Sequence, residues 1–208
     1  SAAITWIDAA VPLMQHQKEE LYDASDHHWT TRGAAVAFAA WCAAEKKKEK
    51  TEYVVYTVND QFYGTLANAS GYYRGRKDHV DIYVPKKKQE LIVTYVEEQR
   101  KTATVFEQDK AASANPYDVF FGGNHGLLKI DTAQTGKRLL VIKDSYANCF
   151  LPFLVPYYKS ITVVDPRYYY DDLDKLIKEQ DIQEILFLYN ANTFFSDTSL
   201  GELLEAGG

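Results

Sequence analysis

The stretch from residue 138 onward limits what this chain can become more than any other. RLLVIKD is almost wholly apolar, YANCFLPFLVPYY reads as helical, SITVVD is a second apolar run, DDLDKLIKEQ has helical spacing, and EILFLYN is a third apolar run. Runs with so little alternation suit strands covered on both faces. Strand–helix–strand–helix–strand with short connections predicts an α/β protein with a parallel sheet and right-handed crossovers. At 208 residues the chain is long enough for one such domain, and a single domain over 1–208 is the expectation.

The N-terminal part predicts a short strand over Ile4–Asp8 and an amphipathic helix over Val11–Leu21. After the segment ASDHHW, Thr30 or Thr31 is placed to cap a helix that runs to the Glu45–Lys50 charge cluster, with Ala35, Phe38, Ala39 and Cys42 facing a core. The middle differs. YVVYTV, DHVDIYV, QELIVTYV and TATVFE are β-branched and aromatic, with turn residues between them, so residues 53–110 read as an antiparallel β-rich insertion. EEQRKT is a hairpin connection there, and Gly64–Gly75 a polar loop.

A formal net charge of −6 argues against a nucleic-acid partner, which needs clustered cations. Lys46–Lys48 and Lys86–Lys88 read as solvated faces. Cys42 and Cys149 are too few for a disulfide framework and lie in apolar helical stretches, which predicts two buried thiols. No stretch is long and apolar enough to span a bilayer. The start, Ser1-Ala2-Ala3 without a Met, reads as the beginning of a piece of a longer protein.

In a parallel sheet, ligands bind beyond the carboxyl ends of the strands. Asp144-Ser145 follows RLLVIK at that edge, so Ser145 is either a nucleophile near helix amides or part of a helix cap. Asn190 and Asn192 follow the third strand, as neutral donors or as turn residues. In extended backbone, residues i and i+2 share a face, which groups Asp26 with His28 and turns His27 elsewhere. A carboxylate on one ring nitrogen sets the tautomer and raises the basicity of the other, as a general base requires. Trp29 either shields the site or packs the helix start. A serine, an Asp-x-His and an Asn at strand ends are the parts of an acyl-transfer site, without the GxSxG elbow of ordinary α/β-hydrolases.

DHHWTTRGA, followed downstream by LLVIKDSYANCFLPFL and ITVVDPRYY, resembles the bacterial DHHW protein family, relatives of the SGNH hydrolases and of alginate O-acetyltransferase catalytic domains. The resemblance implies a flavodoxin-like, three-layer SGNH fold with a parallel central sheet and a permuted motif order, the Asp-x-His preceding the serine. It implies Ser145 as nucleophile, His28 as base and Asp26 as its orienting acid. Asn190 or Asn192 and the amide of Ser145 or Tyr146 are the implied oxyanion donors, and Gly123 or Asn124 in FFGGNHG is a further candidate that reads equally as a plain glycine turn. Trp29, Asn124, His125 and Arg167 are the candidate substrate contacts. Lys143 stands where the SGNH Gly-Asp-Ser motif has glycine. The expected activity is a serine esterase or O-acetyltransferase, without cofactor or metal, using an acyl donor and a cell-surface polysaccharide acceptor. The location implied is extracytoplasmic, with membrane attachment only through an N-terminal anchor outside this chain. Two other readings remain. Asp26-His27-His28 spells the metal-binding tripeptide of DHH phosphoesterases, though only Asp8 and Asp23 precede it, and His125 would have to serve as a further ligand for zinc. A non-catalytic polysaccharide-binding protein would keep the fold and dispense with Ser145.

Overall fold

The computed structural model describes residues 4–48 and 50–205. They group into two compact units, one comprising the chain up to Lys87 together with Asp109–Tyr117, the other Lys88–Gln108 together with the chain from Asp118.

In the first unit, residues 4–8 form no strand, and helix α1 covers Ala10–Gln15, ending well short of Leu21. The chain then folds back on itself. Tyr22 and Trp29 form an isolated bridge, Asp23 N donates to His28 O and Thr30 N to Leu21 O, so ASDHHW is the tip of a closed loop. Helix α2, Thr31–Ala44, starts at that loop, with Thr30 Oγ1 accepting from Gly33 N and donating to Glu20 O. A Cβ on Gly33 would lie 2.3 Å from Leu21 O, which is how closely α2 is drawn against the loop base. The buried stripe is Ala34, Ala37, Phe38, Trp41 and Cys42; Ala39, expected in the core, is exposed. Strand β1 (Tyr53–Phe62) pairs antiparallel with β2 (Asp78–Pro85), and the short helix α3 (Thr65–Ser70) sits between them in sequence, ending at Gly71 with φ 68°. Thr31 Oγ1 donates to Asp81 O and ties α2 to β2.

The second unit holds β3 (Leu91–Tyr95), β4 (Arg100–Thr102), β5 (Leu127–Thr132), β6 (Arg138–Lys143), α4 (Leu151–Leu154), β7 (Ser160–Val164), α5 (Leu173–Glu179), β8 (Glu184–Leu188), α6 (Ala191–Ser196) and α7 (Ser199–Glu205). The six strands form one sheet in the order β4-β3-β5-β7-β6-β8. β7, β6 and β8 are parallel, whereas β5, β3 and β4 add on antiparallel, so the sheet is mixed and not the parallel one expected. Chain length explains the change. Parallel neighbours need a crossover of roughly a dozen residues or more. Residues 144–159 and 165–183 provide two, but residues 133–137 between β5 and β6 are too few, so the chain reverses there. The segment read as one β-rich insertion thus supplies β1 and β2 to the first unit and β3 and β4 to this sheet. YANCFLPFLVPYY is not one helix: with Pro152 and Pro156 interrupting it, only Leu151–Leu154 is α-helical, flanked by 3₁₀ turns.

Strand β6 is buried on both faces, and Leu140 and Ile142 join Val164, Leu173, Leu176 and Leu203 in one cluster with α5 and α7. At the end of β6 an ionic group enters this apolar setting. Lys143 is 1% exposed and Asp165 0%, their Nζ and Oδ2 3.2 Å apart, and Asp165 also takes three hydrogen bonds from Arg167, two of them from the guanidinium. Asp165→Ala would leave the Lys143 ammonium buried and uncompensated. It is expected to lower stability by about 3–5 kcal/mol in denaturant unfolding; a loss below about 1 kcal/mol, the range of an exposed pair, would show that the pair carries little of the unit's stability.

Candidate active site

The expected acid–base residues belong to the first unit. Asp26 and His28 are buried and His27 between them is exposed, as the two-residue spacing predicts, but residues 24–28 bend instead of running extended. Asp26 Oδ1 lies 2.5 Å from His28 Nδ1 and accepts from His28 N; Oδ2 accepts from Thr65 N and Thr65 Oγ1 at 2.7 and 3.0 Å. Burial alone would raise this carboxyl, but the His28 ring and the Thr65 amide outweigh it and hold Asp26 well below the usual carboxylate range. An ionised Asp26 accepts at Oδ1, so His28 carries its proton on Nδ1 and its lone pair on Nε2. The imidazole is held between two rings, Tyr117 stacked at 4.1 Å and His27 at 3.9 Å.

Three residues that the sequence did not single out set this geometry. Asp78, 2% exposed, accepts from Ala24 N, Ser25 N and Ser25 Oγ at 2.8, 2.6 and 2.6 Å and pins the loop just before Asp26. Gly64 N donates to Ser25 Oγ, and Gly64 touches Asp26 so closely that a Cβ there would overlap its side chain. Thr65 supplies the two donors to Oδ2. Its single hydroxyl proton goes to Asp26, so His27 Nδ1, 2.6 Å from Thr65 Oγ1, is the donor of that contact.

Asp23 stands behind the same loop. Burial, with Asp78 and Asp26 as negative neighbours, pushes its carboxyl up to about 8. Below the unfolded value of about 3.9 both states hold the proton; between there and about 8 only the folded state does, so stability falls as pH rises through that window. Asp23→Asn mimics the protonated form. Its midpoint of thermal unfolding is expected to gain on the wild type steadily from pH 5 to pH 8.5, and a gain independent of pH would contradict this.

The expected nucleophile belongs to the second unit. Asp144 caps the turn after β6: Oδ1 accepts from Tyr146 N at 2.9 Å and Oδ2 from Asn190 N at 3.0 Å, which joins the ends of β6 and β8. Half-buried Ser145 opens that turn. The Tyr146 amide is therefore committed to Asp144, and the Gly123 amide to Phe120 O at 3.2 Å. Asn190 Oδ1 accepts from Asn192 N and caps α6. Asn124 is exposed, and its Oδ1 receives Lys143 Nζ and Asn148 Nδ2. His125 pins the glycine loop, Nε2 donating to Phe121 O at 2.9 Å with Nδ1 3.1 Å from Glu98 Oε1. Arg167 is bound to Asp165 and lies 5.4 Å from the Tyr168 ring. Trp29 is buried in the first unit.

The family model described as DHHW protein matches residues 10–164, which takes in the Asp26–Trp29 loop and the Ser145 turn. The chain belongs to the DHHW family. Among solved structures, this DHHW protein resembles a DHHW family protein from Eubacterium siraeum at 27% identity, with 94% of this chain and 67% of that one covered and a TM-score of 0.82. Bacillus cereus PatB1, solved with a sulfonyl adduct, is similar at 18% identity over 93% of this chain and 70% of that one, with a TM-score of 0.72. The O-acetyltransferase domain of Pseudomonas putida AlgJ is a looser likeness, at 15% identity over 96% of this chain and 66% of that one, with a TM-score of 0.45. No curated protein matches the sequence.

Proposed function

We propose that this protein is an SGNH-type serine esterase or O-acetyltransferase that modifies a cell-surface polysaccharide. The observation that carries the reading is the Asp26–His28 pair. A buried carboxylate with four donors holds one imidazole in a single tautomer and leaves Nε2 as the base. That is the arrangement a serine nucleophile requires, and a structural histidine does not.

In this mechanism Ser145 Oγ attacks the carbonyl carbon of an acetyl ester while His28 Nε2 takes the hydroxyl proton. The tetrahedral intermediate collapses, the leaving alcohol recovers that proton, and acetyl-Ser145 remains. A sugar hydroxyl or water then attacks the acetyl group, its proton passing to His28 and on to Ser145 Oγ. Asp26 stays ionised and stabilises the imidazolium. The three-layer SGNH arrangement, the single domain and an extracytoplasmic location through an anchor outside this chain belong to the same proposal. Among the described residues no helix is long and apolar enough to cross a membrane.

A metal reading has one observation in its favour: ligand atoms of Asp26, His27 and His28 lie within 4.8 Å of one another. The donors already on Asp26 compete with it, because the short Nδ1–Oδ1 contact needs a proton where a metal would sit. Hydrolysis of p-nitrophenyl acetate, and acetyl transfer to a glycan acceptor, test both readings. The serine mechanism predicts turnover unchanged by chelator, and loss of turnover on chelation with recovery on added zinc would overturn it.

A further inference from the structure

We propose that Lys143 is a positioning residue: its buried ammonium fixes the Asn124 side-chain amide so that Nδ2 faces outward, as a donor to the acyl oxygen held at the Ser145 turn. This rests on the reading of Ser145 as the acylated residue.

An ammonium only donates, so the Asn124 atom 3.1 Å from Lys143 Nζ is the oxygen. Asn148 Nδ2 donates to the same oxygen, also at 3.1 Å. Turning the amide over would aim its NH₂ at both donors and lose two hydrogen bonds at once. Because Asn124 itself is exposed, the orientation that satisfies Oδ1 presents Nδ2 to solvent.

The place is the right one. Lys143 precedes Asp144-Ser145 directly, and Asn148 N donates to Ser145 O, so both groups that grip Asn124 belong to the Ser145 turn. The neighbouring backbone amides of Tyr146 and Gly123 are already committed, so neither can take the place of a side-chain donor there.

The cost of Lys143 also asks for a role. Burial pulls its amine below the usual lysine range, and Asp165 opposes that shift. A methionine would fill the same space without a charge to desolvate. Asp165 would keep its three hydrogen bonds from Arg167 in such a variant, so no carboxylate is orphaned.

The test is steady-state hydrolysis of p-nitrophenyl acetate by the whole chain carrying Lys143→Met, Asn124→Ala or both. Each single change is expected to lower kcat on the order of 10²-fold with KM unchanged, the usual effect of losing one oxyanion donor. The double variant should be no worse than Asn124→Ala alone, because Lys143 acts only through Asn124. Asn124→Asp keeps an oxygen facing Lys143 and removes the N–H, so it should fold as the wild type does and still lose kcat. Wild-type kcat in Asn124→Asp, or a double variant that shows the product of the two single losses, would overturn the proposal. A second readout does not need catalysis: the Asn124 NH₂ should give one sharp pair of ¹⁵N-resolved proton signals that broadens in Lys143→Met, and an unchanged pair would also overturn it. If Ser145→Ala leaves hydrolysis intact, the acyl-enzyme reading has failed, and the amide signals alone then decide what Lys143 does.

Discussion

Ser145→Ala is expected to lower kcat for ester cleavage on the order of 10⁴-fold or more, while the protein folds as before. The size follows from the role, since without the hydroxyl no acyl-enzyme forms and only bound-state positioning remains. Stability should hold because the scaffold of the turn is Asp144, not Ser145. Asp144 Oδ1 and Oδ2 grip Tyr146 N and Asn190 N, and Ser145 is only half-buried. Kinetics and thermal unfolding measured on the same preparation check both halves. A kcat within tenfold of the wild type would favour a polysaccharide-binding protein that has no use for the serine.

Gly64→Ala is the second large effect, and it acts through Asp26. Its backbone, φ −86° and ψ −162°, is one that alanine adopts, so the conflict is spatial. The added Cβ would lie 2.2 Å from Asp26 Cβ and 2.3 Å from Asp26 Oδ2. Either Asp26 or the Gly64–Thr65 peptide has to move, and both movements break the Thr65 N–Asp26 bond that holds the carboxylate against His28. Overpacking of this kind costs about 1–3 kcal/mol. Loss of the histidine's fixed tautomer costs kcat on the order of 10³–10⁴-fold. Stability is read from the denaturant midpoint and activity from kcat at saturating substrate. A fully active Gly64→Ala would mean that the Asp26–His28 contact is not what prepares the base.

Particular residues show how far the sequence was legible. Asp26 and His28 do pair, but through a bend at 24–28 in which His28 N also donates to Asp26 Oδ1, not through extended backbone; the parallel strands β7-β6-β8 needed only their apolar runs and crossovers. β5 was missed because Leu127–Thr132 is short and interrupted by Lys129 and Asp131, and without it the reversal that makes the sheet mixed was hidden. Asp78, Gly64, Thr65 and Tyr117 reach the loop from distant positions, and nothing local marks them. A glycine chosen for close approach looks like any turn glycine until the neighbouring side chain is known. The donor candidates were harder still: a backbone amide reads as available in sequence, and only the hydrogen-bond network shows that Tyr146 and Gly123 have spent theirs.

The central claim, a Ser145 nucleophile activated by His28, is tested most directly by labelling with phenylmethylsulfonyl fluoride. Ser145 Oγ would displace fluoride from sulfur, leaving a sulfonyl ester that peptide mass mapping locates. One adduct is expected, on Ser145, with formation strongly slowed in His28→Ala and absent in Ser145→Ala. An adduct elsewhere in the chain, or labelling of Ser145 at the same rate without His28, would contradict it.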